Sequence, residues 1–245
     1  MNNEYYCGLN NVGNTCFFNS ALQSLMRCSV FINFIEKLHI DHELIKIFQE
    51  FIIEYKENSN KSITPSKLVK YYQKINKDYK IGSQDDADEV ITLIIGNIDD
   101  IIKDLVKKNP EKNIIIKGDI TLDKMIAYLF GITIRTTTKC MKCFNRSNYE
   151  VTEFKIRLPI KYDNLEENIK NYSKIEEMTG DEQYACNNCK QKVDALKCDQ
   201  IIRTPKYMHI QLKRFENNGM RRNKITNDVK IPFKLNMNDN KYILR

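Results

Sequence analysis

The sequence is poor in glycine and proline, and it lacks a long apolar segment. Only 8 glycines and 5 prolines occur in 245 residues, which disfavours linkers and low-complexity regions. No segment approaches the roughly 18 uninterrupted apolar residues that a membrane-spanning helix needs. The first residues, Met1 to Cys7, do not combine a basic region with an apolar run. We therefore expect neither a secretory signal nor a membrane partner.

The charges of the chain are not concentrated in one region. The 39 basic and 32 acidic residues give a net charge of +7, but no run of five or more basic residues occurs. A nucleic-acid-binding surface would need a basic stripe with interleaved aromatic residues, and the sequence contains none. With 42% hydrophobic and 29% charged residues, the composition is that of a folded globular protein. We do not expect a nucleic-acid partner.

Eight cysteines are the most informative part of the composition. A chain of this size without an export signal belongs in a reducing compartment, so metal binding and catalysis explain cysteines better than disulfides. Two Cys-x-x-Cys pairs supply the four thiolates of a closed, structural zinc site, although their spacing is only moderately specific and a redox pair is the alternative. These candidate ligands are Cys140, Cys143, Cys186 and Cys189. Three further cysteines are best explained as packing residues: Cys7, Cys28 and Cys198.

Helical patterns dominate the first half of the chain, and strand patterns follow. Apolar residues at three- and four-residue steps between Leu44 and Tyr55 predict a helix. A longer helix is predicted from Asp86 to Val106. Alternating or β-branched residues predict strands at 132–138, 154–160 and 208–212, with a short helix at 164–172 between two of them. Helices first and strands later favour an α+β architecture.

Cys16 lies where a turn-rich segment meets an amphipathic helix. Glycines and asparagines precede it, and Phe18, Leu22 and Leu25 mark one face of the helix that follows. A thiol on the first helical turn lies at the positive end of the helix dipole, which favours the reactive thiolate. Unpaired backbone N–H groups there can hold an oxyanion. The alternative is that Cys16 is a small buried residue, as free cysteines usually are.

The segment Ser83–Val90 places four acidic residues at a helix N-terminus. One interpretation is that these acids complement the helix dipole and remain solvated. The other is that they receive a basic ligand, because carboxylates pair with guanidinium groups in bidentate geometry.

Several of these segments resemble motifs of the ubiquitin-specific proteases. Gly8-Leu-x-Asn-x-Gly-Asn-Thr-Cys-x-x-Asn-Ser20 is similar to the Cys box of that family, which implies that Cys16 is the nucleophile and Asn11 supplies an oxyanion-hole amide. Gln84-x-Asp-Ala-x-Glu89 resembles the second motif, whose acids contact arginines of the ubiquitin tail. The resemblance thus implies substrate contacts at Gln84, Asp86 and Glu89. The two Cys-x-x-Cys pairs resemble the zinc-binding fingers, and Pro205–Phe215 resembles a palm strand.

The resemblance implies a papain-like α+β fold with a helical thumb, a β palm and zinc-tipped β fingers. We expect one catalytic domain over residues 1–245, with the thumb at 1–125, the fingers at 130–205 and a partial palm at 206–245. The implied activity is thiol-dependent hydrolysis after the C-terminal glycine of ubiquitin. The implied partners are ubiquitin or ubiquitinated proteins, inside the cell in the cytoplasm or nucleus.

The sequence has few histidines, and none fits the family's general base. His39 and His42 lie in a polar stretch and are expected to be surface residues or helix caps. His209 lies on a predicted strand, well before the place of the family's Gly-His-Tyr box. Because thiol catalysis of this type needs a histidine, we expect the polypeptide to continue past Arg245 into that box. The alternative is a ubiquitin-binding protein without turnover.

Overall fold

A computed structural model describes residues 7–218, 221–238 and 240–244 of the chain. The chain forms two compact units, of which the first ends at Leu129 and the second covers Phe130–Leu244. Helices dominate the first unit and strands the second, as the α+β prediction requires. No helix in these described ranges is long and apolar enough to cross a bilayer.

The first unit is built from helices joined by short strands. The helices are α1 (Cys16–Met26), α2 (Ser29–Glu36), α3 (Glu43–Glu57), α4 (Ser66–Ile75), α5 (Ala87–Lys108) and α6 (Met125–Phe130). Strands β1 (Gly8–Leu9) and β2 (Ser62–Ile63) pair in parallel, and β3 (Ile115–Lys117) and β4 (Ile120–Thr121) pair antiparallel. Short 3-10 turns cover Pro110–Lys112 and Leu122–Lys124.

Aromatic side chains fill the core between these helices. Phe18, Phe31, Phe48, Tyr55 and Tyr72 are each at most 2% exposed. The prediction for α3 is confirmed, since the side chains on its predicted apolar face are buried. Burial of such large rings, together with the aliphatic side chains around them, supplies favourable free energy that holds this helical unit together.

Helix α5 shows how the charges at both of its ends suit the helix dipole. Asp86 is the N-cap, and its Oδ1 accepts a hydrogen bond from the N–H of Asp88 at 2.9 Å. Acidic residues occupy the first turn, and Lys107 and Lys108 occupy the last. The predicted helix from Asp86 to Val106 is confirmed, with the observed helix ending at Lys108.

Asp99 on α5 carries a buried carboxyl group, and this makes stability depend on pH. The residue is 4% exposed and bonds Lys103 at 2.7 Å, yet burial raises its pKa. The native state therefore disfavours the ionised form, so the penalty is absent below the unfolded pKa and complete above the raised native pKa. We expect Asp99→Asn to be increasingly stable relative to the unsubstituted protein as pH rises from about 4 to about 7.

Chemical denaturation of both proteins at a series of pH values measures that difference in the free energy of unfolding. Asp104→Asn is the matched control, because Asp104 is exposed on the same helix and is not among the charges that shift the pKa of Asp99. A stability difference for Asp99→Asn that stays constant or shrinks with rising pH would contradict the assignment.

The second unit is built mainly from strands. A four-stranded antiparallel sheet has the order β6 (Arg146–Glu153), β5 (Ile132–Cys140), β11 (Ala195–Arg203), β8 (Glu176–Met178). Strand β12 (Ile210–Lys213) pairs in parallel with β7 (Ile156–Pro159). The antiparallel hairpins are β9 (Tyr184–Cys186) with β10 (Gln191–Val193), β13 (Phe215–Asn218) with β14 (Arg221–Lys224), and β15 (Lys234–Met237) with β16 (Asn240–Ile243). Helix α7 covers Leu165–Tyr172, with Asn164 as its N-cap, and a 3-10 turn covers Gly180–Glu182.

The predicted strands and the short helix of this unit are confirmed. Alternation of side chains places Ile132 and Ile134 of β5 in a buried cluster with Ile156 and Leu158 of β7. Leu165 of α7 packs into the same cluster. The register that pairs Ile134 with Ile201 also pairs Cys140 with Ala195. The last residue of β5, which is a candidate metal ligand, therefore lies beside the first residue of β11.

Candidate functional site

Cys16 is the first residue of α1, as predicted, and it is exposed with a free thiol. The turn before it needs two residues in the left-handed region, Gly13 at φ 75° and Asn14 at φ 58°. The first hydrogen bond of the helix runs from the N–H of Asn19 to the carbonyl of Thr15 at 2.9 Å. The N–H groups of residues 16–18 thus precede the first helical bond and have no partner within the helix. The buried-residue alternative for Cys16 is wrong, since its side chain faces solvent.

The side chain of Asn11 is held by Thr15, directly before the cysteine. Its Oδ1 accepts from the N–H of Thr15 at 2.9 Å and from the Thr15 hydroxyl at 3.1 Å. Because a backbone N–H can only donate, the atom facing Thr15 must be the oxygen, which fixes the orientation of the amide. Nδ2 of Asn11 is then the outward donor, on an exposed side chain.

In the acidic segment before α5, some side chains are used to support the fold, and others remain available to bind a ligand. Asp85 is a scaffold residue, because its Oδ2 accepts from the Tyr72 hydroxyl at 2.7 Å and from Nδ2 of Asn76 at 3.0 Å. Burial and the bond to Asp85 raise the pKa of Tyr72, so this phenol remains a donor. Asp86 caps α5 through Oδ1, and Gln84 is exposed. Sequence reasoning missed Tyr72 and Asn76, since only the packing of α4 places them here.

The predicted contact residues Gln84, Asp86 and Glu89 come together at one pocket. Its volume is about 260 Å³. It is lined by Asn76, Asp78, Tyr79, Ser83, Gln84, Asp85, Asp86 and Glu89. Carboxylates are the charged groups of this lining, which favours a cationic ligand.

Four aromatic rings connect the cysteine helix to the acidic pocket. Phe17 and Phe18, which directly follow Cys16, pack against Tyr72 with ring centroids 6.2 and 5.5 Å apart. Tyr79 stands 5.6 Å from Phe17 and 5.2 Å from Tyr72 and lines the pocket. A side-chain bond adds to this connection, because Nδ2 of Asn14 donates to the carbonyl of Gly82 at 2.8 Å. The nucleophile candidate and the acidic segment therefore share one support.

In the second unit, the four predicted metal ligands form a cluster. The Sγ atoms of the two Cys-x-x-Cys pairs all lie within 4.8 Å of one another. The two loops have the same geometry: Phe144 and Lys190 adopt φ 58° and 56° and donate to the carbonyls of Cys140 and Cys186 at 3.0 and 2.8 Å. The redox alternative explains neither the joint cluster nor the repeated loop.

The donor set of this cluster suits a tetrahedral zinc ion. Two of the Sγ–Sγ distances, Cys140 to Cys189 and Cys143 to Cys186, are 3.8 Å. Thiolates at about 2.3 Å from zinc in tetrahedral geometry stand about 3.8 Å apart. A hydrogen bond with Asn188 lowers the pKa of Cys143 to about 6, and the bond to Cys143 raises the pKa of Cys189 to about 12. A bound divalent cation would favour the thiolate form of all four cysteines, because its charge offsets the repulsion between neighbouring thiolates.

The other cysteines and the histidines have ordinary structural positions. Cys7 is buried as predicted, and burial raises its pKa, whereas Cys28 and Cys198 are partly exposed. His39 is exposed, and Nδ1 of His42 caps α3 by accepting from the N–H of Leu44 at 3.1 Å, as expected for both. His209 directly precedes β12, and its carbonyl accepts from the N–H of Ile156 at 3.0 Å.

Comparison with known proteins identifies the family. The sequence profile described as ubiquitin carboxyl-terminal hydrolase matches residues 7–243. The chain is 28% identical to Ubiquitin carboxyl-terminal hydrolase Usp2 of Drosophila melanogaster, over 94% of the chain and 26% of that relative. It is 28% identical to human Ubiquitin carboxyl-terminal hydrolase 42, over 92% of the chain and 17% of that relative.

A third relative is covered more fully. The chain is 27% identical to Probable ubiquitin carboxyl-terminal hydrolase 16 of Schizosaccharomyces pombe, over 94% of the chain and 51% of that relative. The chain thus spans between 17% and 51% of the length of these three curated relatives. Since the profile covers nearly the whole chain, the chain belongs to the ubiquitin carboxyl-terminal hydrolase family and has its papain-like α+β fold.

Proposed function

We propose that this protein is a cysteine-type deubiquitinase, which cleaves the isopeptide or peptide bond after the C-terminal glycine of ubiquitin. One observation carries the proposal: an exposed cysteine begins a helix beside an oriented asparagine amide, in a chain that matches this family over residues 7–243. A cysteine kept only for packing would be buried and would need no such neighbour.

In the proposed reaction, the Cys16 thiolate attacks the carbonyl carbon of the terminal glycine. The negative charge that develops on the carbonyl oxygen is stabilised by Nδ2 of Asn11 and by N–H groups of the first turn of α1. The carbon–nitrogen bond then breaks, the amine leaves with the proton that the general base had taken from the Cys16 thiol, and an acyl-enzyme thioester remains. Water attacks the thioester, which releases ubiquitin and returns the thiol.

We assign the general base to none of the three histidines of the sequence. His42 caps α3 with Nδ1, His39 is exposed, and His209 directly precedes β12. Assays of turnover use the polypeptide as its gene encodes it. We expect that polypeptide to release the fluorophore from a fluorogenic C-terminal amide of ubiquitin. Tight binding of ubiquitin without release would favour the ubiquitin-binding alternative.

We further propose that the acidic pocket receives the arginines of the ubiquitin tail. Glu89 is partly buried and lines the pocket, and Asp86 keeps a second carboxylate oxygen beyond its capping bond. Carboxylates held in place by a helix lose little conformational entropy when they pair with guanidinium groups.

Charge-removing substitutions test this pocket without removing its scaffold. We expect Glu89→Gln and Asp86→Asn each to weaken ubiquitin binding about tenfold, the loss of one charge-assisted hydrogen bond. Asparagine is as good an N-cap as aspartate, so Asp86→Asn should leave the melting temperature nearly unchanged. Calorimetric titration with ubiquitin, and with ubiquitin whose tail arginines are replaced by alanine, measures the effect. If each substitution weakens binding equally for both ubiquitins, the tail arginines do not bind in this pocket.

We propose structural zinc as the metal of the four-cysteine cluster, with Cys140, Cys143, Cys186 and Cys189 as its ligands. Four thiolates leave no open coordination position, so the ion would stabilise the fold and take no part in the hydrolysis. Eight free cysteines also favour a reducing compartment, and we place the protein in the cytoplasm or nucleus. For the division of the domain, we propose a thumb at 1–125, fingers at 130–205 and a partial palm at 206–245.

A further inference from the structure

The turn between Asn11 and Cys16 is organised around one buried hydroxyl group. Thr15 is 2% exposed, and its Oγ accepts from the N–H of Val12 at 3.1 Å while it donates to Oδ1 of Asn11 at 3.1 Å. The N–H of the same residue donates to the same oxygen at 2.9 Å. The hydroxyl thus holds the backbone of the turn and supplies one of the two hydrogen bonds to Oδ1 of Asn11, and the N–H of the same residue supplies the other.

We propose that Thr15 is a positioning residue, which aims Nδ2 of Asn11 at the oxyanion formed on the substrate. The proposal rests on the function proposed above. Thr15 itself does not touch the substrate, because its hydroxyl is buried and both of its hydrogen-bonding roles are filled within the turn. Its contribution is to keep Oδ1 occupied by two donors, so that the amide cannot rotate and present its oxygen to an anion.

A second clamp leaves Thr15 as the group that sets the amide orientation. Nδ2 of Asn19 donates to the carbonyls of Leu9 and Asn10 at 3.2 and 3.1 Å, which ties the loop before Asn11 to α1. That clamp holds backbone atoms only. Among the described residues, Thr15 is the only hydrogen-bond partner of the side-chain amide of Asn11, and a preorganised donor contributes more to catalysis than a mobile one.

The test uses ubiquitin aldehyde, whose adduct resembles the tetrahedral intermediate. Sγ of Cys16 bonds to the aldehyde carbon, the π electron pair moves to the oxygen, and the thiol proton completes the hemithioacetal. That oxygen occupies the oxyanion position, whereas unmodified ubiquitin reports only ground-state binding. Comparison of the two affinities separates positioning of the oxyanion donor from general binding.

We expect Thr15→Val to weaken the affinity for ubiquitin aldehyde about tenfold, the loss of one hydrogen bond to the amide and one within the turn. Affinity for ubiquitin and KM should change by less than about twofold, and kcat should fall with the aldehyde affinity. Thr15→Ser should restore both values, because it returns the hydroxyl. Ser24→Ala is the matched control, since that hydroxyl bonds only the carbonyl of Ser20 within α1.

A double-variant cycle asks whether Thr15 acts through Asn11. We expect Asn11→Ala alone to lower kcat by on the order of 10² to 10³, as for removal of other oxyanion donors. In that background Thr15→Val should add almost nothing, because no amide is left to position. Fully additive losses, or a Thr15→Val protein with the aldehyde affinity of the unsubstituted protein, would overturn the proposal. If the unsubstituted protein binds ubiquitin but forms no adduct with the aldehyde, the proposed function fails first and the positioning role with it.

Discussion

Replacing Cys16 with alanine will lower hydrolysis of a fluorogenic ubiquitin amide by at least about 10⁴-fold, the scale seen when a catalytic nucleophile is removed. The reason is that no acyl-enzyme can form without the thiol. Direct attack by water on the bound substrate would be accelerated only by the oxyanion donors and by substrate binding. The loss should fall on kcat, and the affinity for ubiquitin should remain within about threefold, since the acidic pocket is unchanged.

The matched control is Cys28→Ala, which removes a second, partly exposed thiol between α1 and α2. Its hydrolysis should equal that of the unsubstituted protein. Iodoacetamide in limited amount should modify Cys16 first, with the modified residue identified by peptide mass spectrometry. Hydrolysis by Cys16→Ala above a tenth of the original rate would remove Cys16 from the role of nucleophile.

If the proposed zinc site is correct, replacing Cys186 with alanine will lower the zinc content of the protein and destabilise the second unit. This cysteine is 3% exposed, and its Sγ stands 3.8 Å from that of Cys143. Structural zinc contributes on the order of 10 kcal/mol to folding of a small site, so three remaining thiolates should hold it poorly. We expect zinc to fall from one equivalent to less than about a tenth, with a melting temperature lower by about 10 °C or more.

Elemental analysis and thermal unfolding in a thiol-free reductant measure both effects. Cys198→Ala is the matched control, because Cys198 lies on β11 of the same unit, outside the four-cysteine cluster, and its Sγ donates to the carbonyl of Ser173 at 3.3 Å. That variant should keep its zinc. Purified protein with less than about half an equivalent of zinc, or a Cys186→Ala protein with unchanged melting, would argue against a structural ion.

Features that depend on local sequence were predictable, and features that depend on tertiary placement were not. The apolar spacing of α3, the N-cap of α5 and the position of Cys16 at a helix start all follow from a few neighbouring residues. The motifs also identified Gln84, Asp86 and Glu89, which the fold brings to one pocket. The helix and its cap follow from short-range patterns, whereas the three contact residues were implied by the family resemblance.

The supports of the site could not be read from the sequence. Tyr72 reaches Asp85 only because α4 packs near the start of α5, and nothing around Tyr72 distinguishes it from Tyr71 as a pattern. Asp85 looked equivalent to its acidic neighbours, but three hydrogen bonds make it part of the scaffold. The hydroxyl of Thr15 is likewise informative only once its burial and both partners are known.

The four rings beneath the cysteine and the acidic pocket have a consequence for motion. One continuous set of ring contacts joins Phe17, Phe18, Tyr72 and Tyr79. Because both rest on these rings, the loop before α1 and the loop before α5 should become mobile together. In native-state hydrogen exchange, the amides of the first turn of α1 and of the segment at 79–86 should open together, as a single cooperative unit. On heating, affinity for ubiquitin and reactivity of the Cys16 thiol should then be lost together, at the same temperature.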